Sequence, residues 1–199
     1  VLATVCPMSF ESYLAGTDCA GGITKVYDPK TDLNKYKIMD MDLDEISGQK
    51  LPNGLYLFSV QTPGISRNDS AQRRRVLITD TALALKRDNA GRILVWATDL
   101  KTGEVVPNLP VEAWLQVRNS ISRQLASGVT DKDGVANLQI PDTIKPYDPV
   151  FVRASGDGRL GIAASYWDDG IAAWNYNLQP SYNSRYGGYV GYIYTDRRI

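Results

Sequence analysis

The feature that most constrains this sequence is a succession of short segments that alternate apolar and polar residues, separated by turns rich in Gly, Asp and Pro. From residue 82 to residue 166, roughly seven such segments follow one another at the spacing of an antiparallel sandwich. Helix signals are limited to residues 9–15 and 42–48, each long enough for a turn or two. The sequence therefore predicts an all-β chain of antiparallel β-sandwiches.

Two turns in this region predict β-hairpins. Residues 131–134 contain Asp-Gly, the strongest short hairpin signal, and separate two alternating segments. Residues 155–159 contain a second Asp-Gly between two apolar segments. Trp96 and Trp114 lie in neighbouring segments, and we expect both to contribute to the scaffold of the sandwich.

Before this region, residues 36–43 alternate from Ile38 onward and predict a half-buried strand. Residues 54–60 and 75–79 predict two further strands. Arg73, Arg74 and Arg75 form a basic run whose expected role is a solvated strand edge that discourages edge-to-edge pairing.

The composition excludes several kinds of chemistry. Among 199 residues there is no histidine, which excludes a Ser-His-Asp or Cys-His nucleophile, a His-ligated zinc or haem and a histidine pH switch. Basic and acidic side chains balance at 22 each, so no net charge draws the chain toward nucleic acid. Carboxylate chemistry, cysteine chemistry or no chemistry remains.

The acidic clusters do not support a catalytic or metal site. Asp40, Asp42 and Asp44 would share one face of a strand, but the Gly and Glu of a calcium-binding loop are missing at the required positions. Adjacent Asp168 and Asp169 would point apart, whereas a glycosidase needs facing carboxylates about 5–10 Å apart. We therefore predict a non-enzymatic chain with no catalytic residue, no metal and no cofactor.

Residues 168–188 are rich in Gly, Asn and Tyr and read as a linker. The rings of this segment and the residue that follows it form a possible interaction surface: Trp174, Tyr176, Tyr182, Tyr186 and Tyr189. They could stack on sugars, or they could pack against neighbouring domains, which is the reading that we prefer.

Cys6 and Cys19 are the only cysteines, and a Cys-x-x-Cys motif is absent. Outside the cytoplasm they would pair and close a short loop, stabilising the fold by about 3 kcal/mol. In a reducing compartment they would be one buried and one surface thiol. We predict the disulfide.

Three stretches together resemble the bacterial alpha-2-macroglobulins. Residues 91–107 include Thr-Asp-Leu-Lys-Thr-Gly followed by Val-Val-Pro, residues 128–136 include Thr-Asp-Lys-Asp-Gly, and residues 191–199 include Tyr-Thr-Asp-Arg. The resemblance covers most of residues 50–199 and is weakest over residues 1–35. Arg198 stands where the family pattern has proline.

The resemblance implies tandem macroglobulin-like antiparallel β-sandwiches of the immunoglobulin or fibronectin type. Residues 1–79 would form one macroglobulin-like β domain, of which this chain could hold only a part, and residues 80–167 would form a second. Residues 168–188 would link them to residues 189–199, the first strand of a following domain.

Members of this family trap proteases after cleavage of a bait segment, and many hold the protease through a Cys-x-x-Gln thioester. Neither cysteine here is followed by that motif, since Ser9 and Gly22 occupy the glutamine position. The resemblance therefore implies a non-catalytic scaffold fragment of a periplasmic protease inhibitor that protects the cell envelope, and a membrane anchor through the full-length protein is compatible with it. Its expected partners are other domains of the same polypeptide, proteases that the full-length protein binds, and envelope enzymes, with no nucleic acid. The alternative is a tandem-sandwich adhesin or carbohydrate-binding module that uses the Tyr-rich segment.

Overall fold

The computed structural model describes residues 1–19, 21–30, 35, 37–63, 71–117 and 122–167. Residues Val1–Ser165 form one compact unit, and Tyr166–Ile199 are assigned to a second. The strands of the first unit build three sheets, and each strand pairing within them is antiparallel. The structure therefore confirms the predicted all-β antiparallel fold.

The N-terminal part of this unit is one four-stranded sheet with two short helices. Its elements are β1 (Leu2–Met8), α1 (Phe10–Ala15), β2 (Ile23–Val26), α2 (Leu43–Ser47), β3 (Gly54–Gln61) and β4 (Gln72–Ile78). The strand order is β2-β1-β3-β4. One face of this N-terminal sheet packs against α2 through a cluster that includes Val5, Ile46 and Tyr56.

Both helices form where the sequence predicts a turn or two, because each has a cap at both ends. The Ser9 hydroxyl accepts from the Ser12 N–H at 3.1 Å at the start of α1, and Gly16 closes it at φ 76°. The Asp42 carboxylate accepts from the Asp44 N–H at 2.8 Å at the start of α2. The helices have six and five residues, and no helix in the described part of the chain could cross a membrane.

The strand predicted over residues 36–43 is wrong. The described residues of that stretch carry no strand, and Leu43 already belongs to α2. The physical reason is the cap, because the Asp42 side chain bonds main-chain N–H groups that begin a helix instead of continuing an extended pattern. The alternation of polar and apolar residues was too short to overcome this local preference.

The remaining strands form a two-sheet sandwich. They are β5 (Thr81–Arg87), β6 (Arg92–Asp99), β7 (Pro110–Leu115), β8 (Arg123–Val129), β9 (Val135–Gln139), β10 (Val150–Gly156) and β11 (Arg159–Ala164). One sheet has the order β11-β10-β7-β8 and the other β5-β6-β9. Buried aliphatic side chains such as Val95, Val111 and Val152 form the core between the sheets.

Alternation along β6 explains how this core is filled. Ile93, Val95 and Ala97 are at most 1% exposed, whereas Leu94 and Trp96 point outward and are 40% and 44% exposed. The position of Trp96 in this alternation therefore places its indole on the outer face of the sheet.

The turn at residues 131–134 forms, but the hairpin predicted there is wrong. Strand β8 pairs with β7 and β9 pairs with β6, so this turn carries the chain from one sheet to the other. The two strands face each other across the core, and a Cβ on Gly128 would lie 2.7 Å from the Leu138 side chain. A turn closes the same local hydrogen bonds in a hairpin and in a sheet-to-sheet connection, which the sequence does not distinguish.

The second predicted hairpin is confirmed. Strands β10 and β11 pair in register up to Gly156 opposite Arg159. Between them Asp157 and Gly158 both have positive φ, at 52° and 77°, as a type I′ turn requires.

Candidate functional site

The N-terminal sheet and the sandwich share one buried cluster of side chains, which we call the joint. Its buried members are Phe10, Leu14 and Leu55 from the N-terminal part and Phe151, Ile162 and Ala164 from the sandwich. Phe10 and Leu14 are four residues apart on α1 and so lie on one face of that helix. The joint therefore fixes α1 against the outer face of the β7–β10–β11 sheet.

Aromatic rings on the two sides of the joint meet edge to face. The Phe10 ring lies 5.9 Å from the Trp114 ring at an interplanar angle of 76°. The Tyr13 ring lies 5.8 Å from the Phe151 ring at 83°. Both are favourable arrangements for aromatic pairs. Trp114 is therefore a residue of the joint, outside the core between the two sheets of the sandwich.

Arg153 of β10 places a cation at the edge of this cluster. Its guanidinium carbon lies 4.8 Å from the centre of the Phe10 ring and 5.8 Å from that of Trp114. Its Nε and Nη2 donate to Glu112 Oε2 at 3.1 and 2.6 Å. Its Nη1 lies 3.9 Å from Glu11 on α1. The side chain is 24% exposed, so its charge is partly buried and is neutralised by Glu112 on the neighbouring strand.

A hydrogen bond from the sandwich also satisfies the C-terminal end of α1. The Gln116 side-chain amide donates to the Leu14 carbonyl at 2.9 Å. Carbonyls in the last turn of a helix have no partner within the helix, so this bond supplies one from the other side of the joint.

A second set of polar contacts joins the two parts at the opposite end of β11. The Asn53 side-chain amide donates to the Gly158 carbonyl at 3.0 Å, and the Thr79 hydroxyl donates to the Leu160 carbonyl. Beside them, Arg159 Nη1 donates to Asp99 Oδ2 at 2.9 Å and lies 3.8 Å from Asp80 Oδ2. The connection between β4 and β5 is thus held to the β10–β11 hairpin.

Asp99 serves this contact and its own turn at once. Its Oδ1 accepts from the N–H groups of Lys101 and Thr102 at 2.8 and 3.1 Å, and Gly103 closes the turn at φ 73°. The hydrogen bond from Arg159, together with these two backbone bonds, holds the pKa of the Asp99 carboxyl at about 2. The Thr-Asp-x-x-Thr-Gly stretch therefore folds as an Asx-stabilised turn whose carboxylate stays charged.

The Thr-Asp-x-Asp-Gly stretch has a comparable structural role. The Thr130 hydroxyl is buried, donates to the Val106 carbonyl at 2.7 Å and accepts from the Leu109 N–H at 2.9 Å. Asp131 accepts from the Val135 N–H at 2.9 Å and closes the turn that follows. Thr130 thus fixes the loop before β7 to the end of β8.

Cys6 and Cys19 are joined in the structure, with their Cα atoms 6.3 Å apart, within the usual range for a disulfide. Cys6 lies on β1 and Cys19 follows α1, so the bond brackets that helix. The redox state of the two cysteines in the protein stays a prediction.

The other residues that the sequence singled out are not brought together as a site. Asp42 caps α2 and Asp44 accepts from the Leu51 N–H at 2.8 Å, so the three aspartates do not share a strand face. Among the described residues, no group of three or more His, Cys, Asp or Glu side chains could hold a metal ion. Asp168, Asp169 and the predicted aromatic interaction surface lie outside the described residues: Trp174, Tyr176, Tyr182, Tyr186 and Tyr189.

Sequence reasoning missed the residues that form the joint. Gln116 directly follows β7 and Arg153 interrupts the apolar segment of β10, and neither pattern indicates a contact with a distant helix. The available signal was Phe10 and Leu14, two large apolar residues four apart behind the N-cap Ser9. They predict a buried helix face, though not the surface that covers it.

The arrangement of the strands indicates the class of protein. A sandwich of two antiparallel sheets is typical of immunoglobulin-like domains. The family profile of the bacterial alpha-2-macroglobulin MG3 domain matches residues 78–182, more than half of the sequence. The chain belongs to the bacterial alpha-2-macroglobulin family, whose macroglobulin-like domains are non-catalytic β-sandwiches. Comparisons with curated proteins and with solved structures gave no significant match.

Proposed function

We propose that this chain is a non-catalytic scaffold segment of a bacterial protease inhibitor that acts as a trap and protects the cell envelope. Its membership of the alpha-2-macroglobulin family supports this proposal. In that family, bait cleavage drives a conformational change, and a trap of this kind needs parts that move and parts that hold their shape. The chain would belong to the parts that hold their shape.

The joint is the observation that carries the proposal. Two β units connected only by a short linker would rotate freely, whereas here Leu14, Phe151 and Ile162 share one buried cluster. The contact of Arg153 with the Phe10 ring and the hydrogen bonds to the β10–β11 hairpin join the two parts at its two ends. A joint of this kind would keep the two parts in a fixed orientation, so that a displacement of one part moves the other with it.

The use of the charged groups also supports a non-catalytic role. Asp99, Glu112, Arg153 and Arg159 are each engaged in an ion pair that supports a turn or the joint. The sequence has no histidine to act as a general base near neutral pH. These charged groups therefore stabilise the fold of the chain.

We propose that the protein lies in the periplasm and is anchored to the membrane through the full-length protein. Its partners would be other domains of the same polypeptide, proteases and envelope enzymes. Cys6 and Cys19 are positioned to pair, which an oxidising compartment would allow. Balanced charge gives no reason to add nucleic acid to these partners.

The test is protease trapping by the complete gene product. A protease mixed with it should lose activity toward a large protein substrate while it keeps activity toward a small chromogenic peptide, because a trap blocks access and leaves the active site intact. Arg153→Met should weaken this protection by loosening the joint, and the exposed control Arg92→Met should not. A complete protein that leaves both substrates fully hydrolysed would overturn the proposal.

A further inference from the structure

Strand β4 forms one edge of the N-terminal sheet. It pairs with β3 from Val60 opposite Gln72 to Gly54 opposite Ile78, and in the described part of the chain no strand pairs with its other side. Residues 72–75 are exposed, and residues 76–78 are half-buried. An edge of this kind presents unpaired main-chain N–H and C=O groups to an incoming strand.

The exposed half of this edge carries Arg73, Arg74 and Arg75. Arg73 and Arg75 lie opposite Ser59 and Leu57 on the α1 side of the sheet, and Arg74 lies opposite Phe58 on the other side. Both faces of the edge are therefore basic. The whole chain has no net charge, so this is a local concentration of positive charge.

Little of that charge is neutralised. Arg73 Nη1 pairs with Asp18 at 2.7 Å, and both side chains are about half exposed. Arg74 Nη1 donates to the Arg73 carbonyl at 3.1 Å. Among the described residues, neither Arg74 nor Arg75 has an acidic partner within ion-pair distance. The strand thus presents three guanidinium groups against one carboxylate.

The sign of this charge decides which strands could pair with the edge. Two copies of β4 would bring six arginines together, so the charge opposes self-association of the chain. An acidic strand would instead place carboxylates opposite the guanidinium groups, where cross-strand pairs of opposite charge are favourable. We propose that the β4 edge binds an extended acidic segment of a partner protein by strand addition.

Two features of the occupant follow from this geometry. Main-chain hydrogen bonds to the edge require an extended segment with free N–H groups. Successive side chains of such a strand project to opposite faces, so acidic residues on either face would meet an arginine of β4. This mode of binding does not depend on protease trapping.

The experiment uses the 199-residue chain and a fluorescein-labelled peptide of about eight residues in which Glu and Val alternate, long enough for one strand. Fluorescence anisotropy should show binding at low salt that weakens about tenfold as salt screens the charges. The same peptide with each Val replaced by Pro keeps its charge but cannot pair as a strand, and it should bind about tenfold more weakly.

Variants locate the binding to β4. Arg74→Glu with Arg75→Glu should abolish binding, Arg74→Lys with Arg75→Lys should retain most of it, and the exposed control Lys101→Glu with Lys132→Glu should leave it unchanged. Circular dichroism of each variant checks that the fold is kept. If the proline peptide bound as tightly as the valine peptide, the edge would be a general polyanion patch and the proposal would be overturned. Complete displacement of both peptides by a heparin fragment would have the same meaning. Absence of peptide binding at low salt would overturn it as well.

Discussion

The guanidinium carbon of Arg153 lies 4.8 Å from the centre of the Phe10 ring. Strand β10 of the sandwich and helix α1 of the N-terminal part therefore meet through a cation and an aromatic ring. Such contacts gain strength when the cation is partly removed from water. The two hydrogen bonds from Arg153 to Glu112 keep this charge compensated where it is partly buried. A polar pair thus fixes the orientation of an otherwise apolar joint.

Replacement of Arg153 by Met tests this relationship. Met keeps much of the apolar stem but removes the cation and its hydrogen bonds, and it leaves Glu112 with Trp114 Nε1 as a donor at 3.2 Å. We expect the free energy of unfolding to fall by about 1–3 kcal/mol, measured by urea denaturation. The control Arg92→Met removes a pair whose arginine is 76% exposed and should cost no more than about 0.5 kcal/mol. Equal losses for the two variants would contradict a special role for Arg153.

A shared core also predicts how the two parts unfold. Leu14 is 0% exposed on α1 and belongs to the same cluster as Phe151 of the sandwich. Leu14→Ala should therefore lower the free energy of unfolding by about 2–5 kcal/mol, and it should do so in one transition seen both by circular dichroism and by tryptophan fluorescence. The control Leu100→Ala, at a turn residue that is 56% exposed, should change little. A fluorescence transition that stays in place while the dichroism transition moves would indicate two independent domains.

The Asp99–Arg159 pair predicts a pH dependence of stability. The hydrogen bond from Arg159 and the backbone bonds lower the pKa of Asp99 to about 2 from its ordinary 3.8. A carboxyl whose pKa is lowered in the folded state stabilises it fully above the ordinary value, and that stabilisation is lost as the pH falls through about 2. Asp99→Asn should therefore lower the melting temperature at pH 6, and the difference from the parent chain should shrink toward pH 2. A constant difference over this range, or the same pattern in the exposed control Asp142→Asn, would contradict the assignment.

The sandwich could be predicted because its information is local. Alternating segments such as β6 and β9 encode which of their faces is buried, and Asp157-Gly158 has the conformation that its hairpin requires. The caps Ser9 and Asp42 likewise mark the two helices. These signals lie within a few residues of the structure that they determine.

The joint could not be predicted because its contacts join residues far apart in the chain. Gln116 donates to a carbonyl 102 positions earlier, and Asn53 donates to one 105 positions later. The hairpin predicted at Asp131 was wrong for the same reason, because the choice of partner strand depends on packing across the core. Local chemistry sets the turn, and tertiary contacts decide which strands pair.

Thr130 offers a test of the structural role of the Thr-Asp-x-Asp-Gly stretch. Its hydroxyl serves both the Val106 carbonyl and the Leu109 N–H in a buried position, so Thr130→Val keeps the shape but leaves the Leu109 N–H without this acceptor. We expect a loss of about 1–3 kcal/mol in the free energy of unfolding, the cost of an unsatisfied buried polar group. Thr143→Val, at an exposed position, should be neutral within about 0.5 kcal/mol. A neutral Thr130→Val would mean that the loop before β7 does not need this hydroxyl.

The disulfide between Cys6 and Cys19 is the last prediction. The bond brackets α1, the helix that supplies Phe10 and Leu14 to the joint, so its reduction should loosen the contact with the sandwich. In protein secreted to an oxidising compartment, intact mass after alkylation should show no modified thiol without reductant and two with it. Cys6→Ser with Cys19→Ser should lower the free energy of unfolding by about 3 kcal/mol, and reductant should then have no further effect. Two alkylated thiols in unreduced protein would refute the bridge, and unchanged stability of the double variant would show that the bridge does not hold α1 in place.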